Sequence, residues 1–129
     1  MKKEFVTYEQ ALDLAKLKFN EKCFGYYGIQ NELNIEISSN LDTNLTRRDF
    51  YAAPTYSQAF RFFREKYKLK YCIIPLVCEQ GFSDLYESRI HQEKHSISII
   101  GNHKDYEEAE LACLKKLIEI VKTYGGDEL

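Results

Sequence analysis

The sequence predicts a two-layer α+β sandwich: three helices and an antiparallel sheet of about five strands, in the order α-β-β-α-β-β-β-α. Three observations lead there. First, one short phrase opens a helix three times, as Thr7-Tyr8-Glu9-Gln10-Ala11, Thr55-Tyr56-Ser57-Gln58-Ala59 and Asp105-Tyr106-Glu107-Glu108-Ala109. Each copy sets a capping residue three positions before Gln or Glu. This is the capping box, in which the cap side chain accepts from the third backbone N–H and the Gln or Glu side chain accepts from the cap's own N–H. Second, apolar runs of strand length, alternating or continuous, lie between the helices. Third, these runs are joined by connections of hairpin length, which makes the sheet antiparallel and puts the helices on one of its faces.

The first helix is predicted over residues 8–19, with Tyr8, Ala11, Leu12, Ala15 and Phe19 on one stripe and Asn20 and the Cys23-Phe24-Gly25 stretch ending it. Residues 24–27 then pair with a half-buried strand in which Leu33, Ile35 and Ile37 alternate with polar residues, the turn falling near 28–32. Residues 39–54 read as a polar loop, long enough for a compact domain to suggest function. The second helix follows Pro54 and the Thr55 cap, and Tyr56, Ala59, Phe60, Phe63 and Tyr67 repeat the register of the first. This echo, offset by 48 residues, fits either a duplicated helix-strand unit or convergence on a good cap.

Residues 71–79 are apolar on both faces and are predicted to form a central strand, with Pro75 implying a bulge or an edge on one side. Gln80-Gly81 turns the chain into a strand over 82–91, Gln92-Glu93-Lys94 turns it again, and 96–100 is the last strand. The third helix carries Ala109, Cys113, Leu117, Ile118 and Val121 and stops at Gly125-Gly126. The chain thus divides as a single domain over 1–129: an α-β-β unit (1–38), the polar loop (39–54), an α-β-β-β-α unit (55–124) and a tail (125–129).

Composition narrows the function classes. A chain of 129 residues with 44% apolar content can bury a core without disulfides or metals. Its aromatics are ten Tyr and eight Phe with no Trp, and its net charge of −2 gives no global attraction to nucleic acid or anionic membrane. The N-terminal Met1-Lys2-Lys3-Glu4-Phe5-Val6 has no apolar run after its lysines, so a cytoplasmic protein with no membrane segment is expected. Cys23, Cys72, Cys78 and Cys113 form no CxxC pair and read as free thiols. Together with His91, His95 and His103 they match no zinc-ligand spacing, so neither metal nor cofactor is expected.

Candidate interaction residues fall in three places. Arg47 and Arg48 stand beside Phe50 and Tyr51, a pairing that can grip phosphate and stack a base, or simply pin a surface loop. Arg61 and Arg64 belong to a basic segment over 61–70, in which five Lys and Arg face a single Glu, whereas the third helix with its Asp105 cap and tail carries seven acidic residues against three Lys. Tyr26 and Tyr27, in a glycine-flanked strand, can display an aromatic platform or split by alternation into one buried and one half-exposed ring. His91 and His95 flank a turn, and Cys72 shares strand parity with Cys78 at too great a distance to touch. No nucleophile–base pair, glycine-rich phosphate loop or HExxH motif is visible, so no catalytic residue is assigned and no enzyme is expected.

Residues 56–121, read as α-β-β-β-α, resemble the double-stranded-RNA-binding domain in topology, but Asp105, Glu107, Glu108 and Glu110 stand where that family keeps phosphate-binding lysines. A second resemblance rests on Phe5-Val6-Thr7-Tyr8-Glu9-Gln10-Ala11, Cys23-Phe24-Gly25-Tyr26-Tyr27, residues 58–67 and residues 106–122. These phrases look like those of a family of small uncharacterised proteins of gut Bacteroides-type bacteria, their phages and mobile elements. That resemblance implies a cytoplasmic accessory protein acting on host machinery or counter-defence. The reading drawn from the sequence is therefore a non-enzymatic module that binds a macromolecule, foremost a protein. Its alternatives are nucleic-acid binding through the basic second helix and the Arg47-Arg48 loop, and capture of a small anionic ligand such as a nucleotide in a homodimer cleft.

Overall fold

Two three-stranded antiparallel sheets, rather than one of five strands, organise the chain, and each has its own helix. A computed structural model describes residues 2–28, 30–35, 51–78, 81–92 and 95–124. The chain forms two compact units, 1–59 and 60–129, with the boundary inside the second helix.

In the first unit a single 3-10 turn (Lys2–Glu4) leads to α1 (Tyr8–Lys16), followed by β1 (Gly25–Tyr27), β2 (Leu33–Ile35) and β3 (Tyr51–Ala53). The sheet order is β2-β1-β3. The expected β1–β2 hairpin is present: Tyr27 pairs with Leu33, and the turn is closed by Gly28 N–H on the Glu32 carbonyl at 3.1 Å. β3 corrects the polar-loop reading of 39–54, because Tyr51, Ala52 and Ala53 pair with Tyr27, Tyr26 and Gly25. Small apolar side chains let this segment seat deeply, and Ala53 is fully buried. Gly25 is required by close approach: a Cβ there would lie 2.8 Å from the Phe5 ring and 2.9 Å from the Ala53 carbonyl.

The helix ends earlier than the periodicity suggests. Lys18 takes the left-handed conformation (φ 65°), its N–H bonds the Ala15 carbonyl at 3.0 Å, and the Phe19 N–H bonds the Leu14 carbonyl at 2.9 Å. This is a Schellman stop, which normally advertises itself with glycine. The buried positions of α1 are Gln10, Ala11 and Leu14, while Ala15, assigned to the apolar stripe, is exposed.

The capping boxes at Thr7 and Thr55 are complete: Thr7 and Gln10 exchange two bonds of 3.2 Å, and Thr55 and Gln58 exchange bonds of 3.3 and 3.2 Å. The third copy differs. Glu108 N–H bonds Asp105 Oδ1 at 2.8 Å, but the Glu108 carboxylate reaches past the cap to the Lys104 N–H at 3.2 Å.

α2 (Tyr56–Tyr67) carries its predicted apolar positions as expected, with Tyr56, Ala59, Phe60 and Phe63 buried. The second unit continues with β4 (Leu69–Cys78), β5 (Gly81–Gln92), β6 (His95–His103) and α3 (Tyr106–Tyr124). The strands form a meander, β4-β5-β6, on which α3 packs across all three. β4 is therefore an edge strand, not the central one that its apolar run suggested; β5 is central. The edge position accommodates Pro75, which has no N–H for a second neighbour, and a register shift lies between Pro75 and Val77. A further shift, between Ser88 and Arg89, is met on β6 by Gly101 at φ 144°, a conformation open to glycine. On α3, Ala109, Cys113, Leu117, Ile118 and Val121 are buried as predicted, joined by Leu114 and Ile120. No helix among the described residues is long and apolar enough to cross a membrane.

Candidate anion-binding site

At the open end of the β4–β5 hairpin, Lys68, Lys70, Tyr71, His91 and Gln92 line a cavity of about 510 Å³. Three local features build it. Lys68 adopts the left-handed conformation (φ 58°) between the end of α2 and the start of β4, so helix passes to strand in a single residue. Leu69 is fully buried and anchors the strand start. The β4–β5 register sets Leu69 against Gln92, Lys70 against His91 and Tyr71 against Ile90. Alternation then places Lys70 and His91 on one face and Tyr71 and Gln92 on the other, so the cavity wraps the edge of the sheet.

Tyr71 is held by its ring, which stacks on buried Phe60 with centroids 3.8 Å apart and planes at 18°. Its hydroxyl is pushed above the ordinary tyrosine range, first by burial, then by Glu110 and Cys113, with Arg64 opposing. At neutral pH this hydroxyl is a proton donor. Lys68 and Lys70 are exposed and make no ion pair among the described residues. Two lysines, a tyrosine, a histidine and a glutamine line this one volume, a set of residue types able to donate to an anion.

Beside the cavity, Cys72 Sγ lies 3.6 Å from His91 Nε2. Arg89 stands opposite Cys72 in the ladder and holds Glu87 Oε2 at 2.7 Å. Cys23 and Cys113 are different in kind. Both are buried, and burial first, then Glu21 for Cys23 and Cys72 and Glu110 for Cys113, pushes their thiols up to about 12.

The residues singled out from sequence are dispersed. Tyr27 is buried, its hydroxyl donates to the Val6 carbonyl at 2.6 Å, and its ring meets Tyr8 edge-on at 5.5 Å. Tyr26 is half-buried in the same strand, so the pair splits by alternation. Tyr51 is half-buried in β3, with its ring edge-on to Tyr8 at 6.4 Å. Arg61 and Arg64 are exposed on α2. Arg47, Arg48 and Phe50 lie outside the described residues, as does the 125–126 helix stop. Lys68 and Lys70 belong to the basic segment visible in the sequence, whereas Tyr71 and Gln92 carry no site signal there. Cys72 and His91 stand apart in the sequence, and the signal that joins them is the hairpin register. No family model, curated protein or solved structure matches the chain.

Proposed function

We propose that this protein binds a small anionic ligand, of the phosphate or nucleotide class, in the cavity between Lys68, Lys70 and His91. The observation that carries this reading is that two lysines with no ion pair among the described residues line one 510 Å³ volume together with Tyr71, His91 and Gln92. Cavities of roughly 300–1,000 Å³ suit ligands of nucleotide size. The reading is of a binding module without turnover.

Thermal unfolding with pyrophosphate and with a nucleoside triphosphate tests it. Ligand at roughly 100 times its Kd stabilises the native state by about 2.7 kcal/mol, a rise of several degrees in Tm. Charge reversal at Lys68 and Lys70 should abolish the shift; a shift that survives it, or none in the unaltered protein, refutes the site. A single-stranded oligonucleotide run in parallel separates free anions from nucleic acid, which would also engage exposed Arg61 and Arg64.

A second reading, docking of a protein partner, is favoured by Val77 at 68% exposure and Leu85 at 42%, both near the bulged end of the edge strand β4. Under that reading Val77→Glu blocks partner binding and leaves the pyrophosphate shift intact.

A further inference from the structure

We propose that Cys72 is a thiol–disulfide exchange site for small acidic disulfides, with His91 accepting the thiol proton. Four observations place the chemistry there. Cys72 is half-buried rather than buried, unlike Cys23 and Cys113, and its Sγ contacts His91 Nε2 at 3.6 Å. His91 is also a wall of the cavity, so a ligand seated there lies against the same imidazole. Lys70, paired with His91 in the ladder, and Lys68 at the strand start bring two cations to that cavity. Arg89, opposite Cys72, is compensated by Glu87, so the lysines set the preference for an acidic reagent. That preference rests on the anion-binding reading; the exchange chemistry rests on the Cys72–His91 pair.

The step balances as a substitution. Cys72 Sγ attacks one sulfur of R–S–S–R, the new S–S bond forms as the old one breaks, and the thiol proton passes to His91 Nε2 and then to the departing thiolate. The products are the Cys72–S–S–R mixed disulfide and one R–SH, and the reagent itself is the oxidant. Cys23 and Cys113 do not compete, being buried and held protonated. Charged and titratable groups around His91 are Lys70, Cys72 and the Arg89–Glu87 pair; from α3, Cys113 senses Cys72.

The test uses the intact chain at neutral pH with oxidised glutathione, which is acidic, and cystamine, which is cationic. Rates are read by intact mass and normalised to those of the urea-unfolded chain, and fragment ions separate Cys72 from Cys78. The expected result is one mixed disulfide per chain, at Cys72, formed about tenfold faster with glutathione than with cystamine, by a ratio that shrinks with salt. His91→Gln, with an unchanged far-UV spectrum, should slow exchange about 100-fold, and the loss should narrow at alkaline pH. Modification at Cys78 instead of Cys72, protection of Cys72 in the folded chain, or equal normalised rates with the two reagents overturns the proposal. Failure of the anion-binding reading shows separately, as no pyrophosphate shift in Cys72→Ser protein, where exchange is impossible.

Discussion

Gln10 and Gln58 occupy the same place in the same phrase, yet their replacement by Ala should cost different amounts. Gln58 is half-buried; its amide accepts from Thr55 N–H at 3.2 Å and donates to the Lys22 carbonyl at 3.1 Å in an exposed setting. Gln10 is 6% exposed, and its Oε1 accepts twice, from Thr7 N–H at 3.2 Å and from the hydroxyl of buried Tyr56 at 3.3 Å. Gln58→Ala removes a solvent-replaceable cap bond, about 0.5–1 kcal/mol. Gln10→Ala removes the equivalent bond and also the acceptor of a buried hydroxyl, a further loss of about 1–3 kcal/mol because the hydroxyl stays desolvated. Gln10→Ala should therefore destabilise by about 2–3 kcal/mol, against about 1 for Gln58→Ala, after the few tenths that Ala returns in helix propensity. Urea unfolding followed by circular dichroism measures both. The double-mutant cycle is sharper: with Tyr56→Phe the hydroxyl is gone, and Gln10→Ala should cost about 1 kcal/mol less than in the parent. Equal losses at the two glutamines, or strict additivity with Tyr56→Phe, would refute the claim that burial separates the two copies.

Three further predictions follow from the same geometry. Gly25→Ala places a methyl 2.8 Å from the Phe5 ring and 2.9 Å from the Ala53 carbonyl; neither neighbour is a flexible chain end, so a loss of about 2–3 kcal/mol is expected in urea unfolding. Stability should fall as pH rises from 9.0 toward 12, because the unfolded chain releases the protons of Cys23 and Cys113 near 9.0 while the folded chain keeps them to about 12. The slope approaches about 1.4 kcal/mol per pH unit per thiol, and the Cys23→Ala, Cys113→Ala double variant should flatten it. Tyr27→Phe deletes the donor to the Val6 carbonyl and leaves a buried acceptor unmatched, which should lower stability by about 1–2 kcal/mol.

What the sequence revealed and what it concealed divide along physical lines. Helix starts were legible because caps are local: Thr7, Thr55 and Asp105 each act within three or four residues. Helix stops were less so. Lys18 at φ 65° and Lys68 at φ 58° occupy positions that glycine usually marks, and a lysine there gives no compositional signal. The apolar run of β4 suggested a central strand because continuous hydrophobicity reports burial on two faces without saying what buries them. β3 was hidden because three residues, Tyr51-Ala52-Ala53, are too few for a period to emerge, and their pairing with β1 is non-local.

The candidate site was invisible for a more specific reason, and Pro75 supplies it. A regular hairpin closed on Cys78 and Gly81 would set Cys72 against Glu87, Lys70 against Arg89 and Lys68 against His91. The irregularity beyond Pro75 slips the register by two residues, so Cys72 meets Arg89 and Lys70 meets His91. An even slip preserves side-chain parity, so each residue keeps its face of the sheet and only its neighbours change. That change joins Cys72 to His91, nineteen positions apart, and sets the imidazole opposite Lys70 rather than Lys68. Pro75 could be read from the chain as a bulge, but the size of the slip could not, and the size decides which chemistry assembles. The proline on edge strand β4 thus sits at the slip that sets a thiol against an imidazole in the wall of a cavity lined by two lysines.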